Sequence, residues 1–239
     1  MLTIPLIEEL TKGPVPPGSN LLVEFEPTSQ WYNASITIAA GFLKQNGKVS
    51  YTTWIQPPAR LRSALNRLGI DCARLETGPQ QNELLRIWDY YTPTLGQKSN
   101  EKLNVSSLKV PDLSIFFSRD STGMRGPTIP DRLRMDDNHS VLARFNEEKS
   151  WVEFVITRVL PIASLRETTL ISGFMKGVHS EWAISQLEGA CDGVIDFKLE
   201  EDSKITRDLM RIRSMRDVGY DREWHELKIG ENAEIRLEK

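Results

Sequence analysis

Leu21-Leu22-Val23-Glu24-Phe25-Glu26-Pro27-Thr28-Ser29-Gln30-Trp31-Tyr32 opens with a short apolar strand and continues into a loop. The next residues, Asn33 to Lys44, are small and apolar and read as a helix. Strand, loop and helix in this order are the setting of a phosphate-cradling loop. Such a loop needs glycines so that backbone N–H groups converge on the anion, a lysine to meet its charge, and a Ser/Thr for Mg²⁺. Glu26 to Tyr32 contains neither glycine nor lysine. Phe25 stands at the first glycine position, Trp31-Tyr32 stand where the Lys-Ser/Thr pair belongs, and Glu26 brings a negative charge to the place of the phosphate.

On either side of this unit the chain keeps alternating. Lys12 to Ser19 is turn-rich. The helix carries Ile36, Ala39, Ala40 and Leu43 at helical spacing and stops at Asn46-Gly47, a left-handed cap. Val49 to Trp54 reads as a strand. Ala59 to Leu68 reads as a helix capped by Gly69, and Leu84 to Trp88 as a strand ending at Asp89. Gln97 to Leu108 is polar and loop-like. Val110, Leu113, Phe116 and Phe117 predict a helix over Asp112 to Arg119, followed by a Gly/Pro loop from Ser121 to Pro130. Arg132 to Met135 is a weak strand leading into Asp136-Asp137-Asn138.

Glu147 to Ile162 is the strongest helix, with Trp151, Phe154, Val155, Val159 and Ile162 on its buried face and Pro161 set to bend or end it. Thr168 to Phe174, Ser180 to Leu187 and Gly193 to Leu199 read as strand, helix and strand. Asp208 to Ser214, Glu223 to Ile229 and Glu234 to Leu237 are short strands separated by turns, a terminal β-meander. The expectation is α/β: a mostly parallel sheet covered on both faces, extended by antiparallel strands at one edge. It is a single domain, with a core of about 18–200 and the meander at about 205–239.

Composition narrows the classes. The 239 residues carry a net charge of −3, which gives no global pull toward nucleic acid or an anionic membrane. No run approaches the roughly 20 apolar residues of a membrane span. The first residues, Met1 to Glu9, lack a basic start and a long apolar stretch, so no secretory signal is expected. Cys72 and Cys191 lie far apart without metal-type spacing and read as reduced, buried thiols of a cytoplasmic protein.

The order of signals resembles the KaiC-like branch of the RecA ATPase superfamily, in particular its single-domain archaeal members. Ile4-Pro5 followed by Gly13 to Ser19 is similar to that family's approach to its first core strand. Gly47-Lys48-Val49-Ser50-Tyr51 resembles its second-strand segment, and Leu68-Gly69-Ile70-Asp71 its LGxD helix end. Leu85-Arg86-Ile87-Trp88-Asp89-Tyr90-Tyr91 resembles an apolar strand closed by Asp plus aromatic. Asp192-Gly193-Val194-Ile195 is similar to its DGVI strand, and Leu209 to Arg216 to its LRIxKMR strand. The resemblance covers Ile4 to Glu238 and implies a RecA-like three-layer sandwich with a C-terminal antiparallel β extension.

Fold does not give activity, and the resemblance lets the parts of a phosphoryl-transfer site be checked one by one. Phe25 to Tyr32 matches the family's P-loop at none of its defining positions. Where members carry a catalytic glutamate pair after the second strand, this chain reads Thr52-Thr53-Trp54-Ile55-Gln56-Pro57. Asp137-Asn138-His139-Ser140 resembles the family's Asp-Ser-x-Ser, so the Mg²⁺-supporting acid is carried over as Asp137 or Asp136. Arg216 matches the basic finger that reaches a neighbouring subunit's nucleotide, with Ser214 at the preceding lysine position. No catalytic residue is assigned. The degenerate nucleotide site consists of Gln30, Trp31, Tyr32, Asp137 and Arg216, with Asp137 as metal ligand.

Each feature has a plainer reading. Trp31 and Tyr32 either stack on a flat ligand or fill the void of an absent phosphate, and filling is favoured. Asp136, Asp137, His139, Glu147 and Glu148 are either a residual metal site or a polar loop leading into an acidic first helical turn, with the second favoured. His179, ahead of a helix capped by Ser180, has no nucleophile near it in sequence. Arg207, Arg211, Arg213, Arg216 and Arg222 form either a nucleic-acid surface or a charge-protected edge, and Glu200, Glu201 and Asp202 offset them.

The expectation is a pseudo-ATPase with no resident cofactor, a regulatory, signalling or scaffolding module. Its partner would be a protein, such as an active paralogue, met through the faces with which the family forms hexamer-type rings. Two alternatives stand: a protein that still holds ATP/Mg unconventionally, and a nucleic-acid-binding recombinase paralogue.

Overall fold

The computed structural model describes residues 2–77, 83–115, 132–202 and 205–238. Its described strands form a sheet of order β3-β2-β4-β5-β1-β6-β7-β8-β9. These are β1 (Asn20–Phe25), β2 (Lys48–Thr53), β3 (Leu85–Asp89), β4 (Arg132–Asp136) and β5 (Thr168–Met175), then β6 (Gly193–Asp202), β7 (Ile205–Met215), β8 (His225–Ile229) and β9 (Ile235–Leu237). β3 through β6 pair in parallel, whereas β6 to β9 are antiparallel. This is the RecA-like α/β architecture with a C-terminal meander.

β1 is central and buried along its whole length, as expected of a parallel strand covered on both faces. Successive side chains point to opposite faces. Leu21, Val23 and Phe25 pack into one core with α1 (Trp31–Lys44) and α2 (Pro58–Arg67). Leu22 packs into a second core with Trp151, Val155 and Leu187. Asn46 and Gly69 hold the positive φ that stops α1 and α2. Arg62 joins α2 to α3 (Cys72–Glu76) and to the segment well beyond β3 by pairing with Glu76 and Glu101, both at 2.8 Å. α4 (Tyr91–Thr94) follows β3. The meander folds back so that Ile235 N–H bonds Thr37 Oγ1 on α1.

The long helix differs from expectation. It runs as α6 (Glu148–Phe154), a π turn (Val155–Val159) and α7 (Leu160–Leu165). Pro161 neither ends nor simply bends it. The wider turn lies just before the proline, whose missing N–H and ring disrupt the regular i→i−4 ladder there. Residues 110–115 belong to α5, which is already helical two residues before the predicted start at Asp112. The remainder of that expected helix and the loop from Ser121 to Pro130 lie outside the described residues. α8 (Glu181–Ala190) starts at Ser180, whose hydroxyl accepts the Ala183 N–H. No helix among the described residues is long and apolar enough to cross a membrane. Cys72 and Cys191 are both buried thiols.

A closed site at the carboxyl ends of the strands

In open α/β sheets the ligand crevice lies outside the carboxyl ends of the strands. Here that place is occupied by the protein's own side chains. After β1 the chain makes a short turn instead of a wide loop. Glu26 N–H bonds Phe197 O at 3.1 Å and Ser29 N–H bonds Glu26 O at 3.0 Å. The Glu26 carboxylate accepts the Leu199 N–H at 3.1 Å, which fastens the turn to β6. The Glu26 and Ser29 amides are thereby committed to internal acceptors rather than to an anion.

Trp31, the first residue of α1, is fully buried. Its ring lies against Phe25 and Phe197, with centroids 6.1 and 5.3 Å away. Its indole N–H donates to the main-chain carbonyl of Asp137 at 2.7 Å. Gly173 on β5 makes room for it. A Cβ there would come within 2.4 Å of the indole nitrogen and 2.5 Å of the Asp137 carbonyl oxygen. Tyr32 packs edge-on against Phe25 and accepts from Asn138 Nδ2 at 3.0 Å. Gln30 turns aside, with Oε1 accepting from Asn33 at 2.7 Å.

Register separates the two candidate acids. Asp136 is the last residue of β4, aligned with Ser172 and Thr52. Its carboxylate meets Arg134 at 3.1 Å and His139 Nε2 at 3.7 Å. Asp137 lies one residue beyond. Its Oδ1 accepts the Trp54 N–H at 2.9 Å, and Oδ2 has no hydrogen-bond partner among the described residues. Burial pushes the Asp137 carboxyl up to about 8, against the pull of the Trp54 N–H. In the free protein the acid is therefore neutral at pH 7, with one oxygen already engaged. Burial likewise drives His139 down to about 4, outweighing Asp136, so its imidazole is neutral.

The acidic cluster does not converge. Glu148 turns to the start of α8, accepting the Ser180 N–H at 3.0 Å. No three His, Cys, Asp or Glu side chains among the described residues are arranged to hold a metal ion. Gln30, Trp31, Tyr32 and Asp137 do share one end of the sheet. Arg216 does not join them within the chain. It follows β7 opposite the start of β6, with its N–H on Asp192 O at 2.7 Å and its guanidinium on Gly189 O at 2.9 Å.

Three features escaped the sequence reading. Trp54 donates its main-chain N–H to Asp137 from the segment where the resemblance would place a glutamate pair. His179 does meet a serine: Ser140 Oγ lies 2.7 Å from Nε2, and Glu148 lies 3.4 Å from Nδ1. Thirty-nine residues separate the two, so spacing gave no signal. That hydroxyl is buried and already accepts the Met175 N–H at 2.8 Å. The trio therefore ties the β4 turn, α6 and the β5–α8 loop together. Third, two of the tail arginines are paired with carboxylates of the sheet and of α8. Arg211 pairs with Asp196 at 2.9 Å, and Arg213 pairs with Glu24, Asp196 and Glu188.

Sheet order, parallel core and antiparallel extension are those of a RecA-like α/β sandwich. Among solved structures, the chain is similar to the KaiC-like protein PH0186 from the hyperthermophilic archaeon Pyrococcus horikoshii OT3. The two superpose with a TM-score of 0.70 at 19% identity, over 99% of this chain and 96% of that one. At that identity the likeness establishes the fold. No family model matches the sequence, and no curated protein matches it.

Proposed function

We propose that this chain is a single-domain KaiC/RecA-like pseudo-ATPase, a regulatory or scaffolding module that works through protein contacts without a bound Mg-nucleotide. One observation carries the reading. The Trp31 indole is bonded to the Asp137 carbonyl, at the end of the sheet where phosphate and metal would meet. The neighbouring groups agree with it. The Glu26 and Ser29 amides of the turn after β1 are bonded internally, Glu26 faces β6, and burial favours the neutral form of Asp137. Phosphoryl transfer rests on positioning and charge stabilisation, and neither Mg²⁺ nor a triphosphate fits this donor set.

The partner in this reading is a second copy or an active relative, met through the subunit faces of the KaiC-like fold. Arg216, 56% exposed, is available to such a neighbour. The reading is of a cytoplasmic protein, which agrees with the free, buried thiols of Cys72 and Cys191. Light scattering of the purified protein, alone and mixed with an active KaiC-like ATPase, tests this. The reading expects an assembly whose mass is the same with and without Mg·ATP. Assembly that requires Mg·ATP, or saturable ATP turnover by the chain alone, would overturn it.

A further inference from the structure

Beneath α8, on the β1–β6–β7 part of the sheet, lies a charged network that the closed site does not use. Glu24 on β1 and Asp196 on β6 are register neighbours, and Arg211 on β7 is opposite Asp196. Arg213 binds three carboxylates at once: Glu24, Asp196 at 3.1 Å, and Glu188 of α8 at 2.7 Å. Arg211 and Lys176, the latter just after β5, both hold Asp196, at 2.9 and 3.3 Å. Lys198 on β6 is paired with Glu200 at 3.0 Å. These are the charged groups that face Glu24 from β1, the end of β5, α8, β6 and β7.

Both acids sit on the one Arg213 guanidinium, which brings their carboxyl groups close enough to hydrogen-bond to each other. Two carboxyl groups can do so only when one carries the proton, and the more buried one is the better holder. That is Glu24, whose side chain is 10% exposed against 31% for Glu188. Burial, then the bond to Glu188, raise the Glu24 carboxyl to about 7 against the pull of Arg213. Charge count does not oppose ionisation, because Lys176, Arg211 and Arg213 would then face three carboxylates. The opposition comes from desolvation and from the lost hydrogen bond.

We propose that Glu24 and Glu188 form a proton-dependent latch that holds the C-terminal half of α8 on the sheet. A carboxyl–carboxylate bond closes it, and ionisation of Glu24 replaces that bond with repulsion. α8 and the loop before it carry two exposed apolar side chains, Val178 and Trp182. The latch thus sets how firmly this surface is held. The folded value lies above the ordinary 4.5. The contribution is therefore full below about pH 4.5 and is lost as pH rises through about 7.

Amide hydrogen exchange of α8 at pH 5 and pH 8, corrected for the intrinsic rate, tests the latch. Protection near Leu187 to Cys191 falls by on the order of tenfold in the wild type. Glu24→Gln keeps a donor toward Glu188 at every pH, and Glu188→Gln keeps a partner for Glu24, so both variants lose the step. Constant wild-type protection, or an unchanged step in both variants, would overturn the proposal. Carboxyl-carbon NMR of the wild type gives an independent reading. Half-titration of Glu24 near neutrality supports the latch, and titration in the ordinary carboxylate range refutes it.

Discussion

Replacing Trp31 by alanine removes the side chain that closes the site, and the structure sets the size of the effect. The ring is fully buried between Phe25 and Phe197. Truncation of such a tryptophan costs about 3–5 kcal/mol through lost transfer energy and the cavity left behind. The indole N–H is also the donor to the Asp137 carbonyl. Trp31→Phe keeps an aromatic ring but strands that carbonyl, at about 1–3 kcal/mol. With a urea slope of about 3 kcal/mol/M, a loss of 4 kcal/mol moves the midpoint down by roughly 1.3 M. Trp31→Lys restores the residue type of a phosphate-binding loop, yet it puts an ammonium into an apolar enclosure and falls at least as far. Urea unfolding of the three variants, followed by far-UV circular dichroism, measures this. A Trp31→Ala loss below about 1 kcal/mol would refute the reasoning, because it would describe a loosely held ring rather than a core plug.

Other consequences follow from the same geometry. Gly173→Ala drives a methyl into the Trp31 indole and the Asp137 carbonyl and lowers stability by about 1–3 kcal/mol in the same assay. Asp137 has a folded value near 8 against an ordinary 3.8. Its neutral form stabilises fully below pH 4, and that contribution drains away as pH climbs toward 8. Asp137→Asn therefore gains on the wild type between pH 5 and pH 8, by up to about 1.4 kcal/mol per pH unit. A constant difference across that range would contradict the assignment. Arg62→Ala releases Glu76 and Glu101 and costs about 1 kcal/mol, since these pairs are partly exposed.

The sheet and its helices were legible because periodicity and stop signals are local. The apolar run Leu21 to Phe25, the left-handed stops at Asn46 and Gly69, and the alternating tail each carry their meaning in a few residues. Pro161 announced a disturbance in the long helix but not its form, because a π turn is decided by how the helix packs. At the site, absent glycine and lysine could be read directly. Where Trp31 goes could not, because its partners Asp137, Gly173 and Phe197 come from three other strands or strand ends. Asp136 and Asp137 differ by one residue, and only register tells that Asp136 ends β4 while Asp137 turns onto Trp54. The Ser140–His179 contact and the Glu24–Glu188–Arg213 network join residues far apart in sequence, so neither left a local pattern.

The proposed function requires that the site at the carboxyl ends of the strands be closed to nucleotide. Isothermal titration calorimetry of the purified chain with Mg·ATP tests it most directly, paired with a melting curve at saturating Mg·ATP. Closure predicts no saturable heat and no shift in melting temperature, since a ligand that does not bind the native state cannot stabilise it. Saturable one-to-one binding that raises the melting temperature and weakens in Asp137→Ala would contradict it.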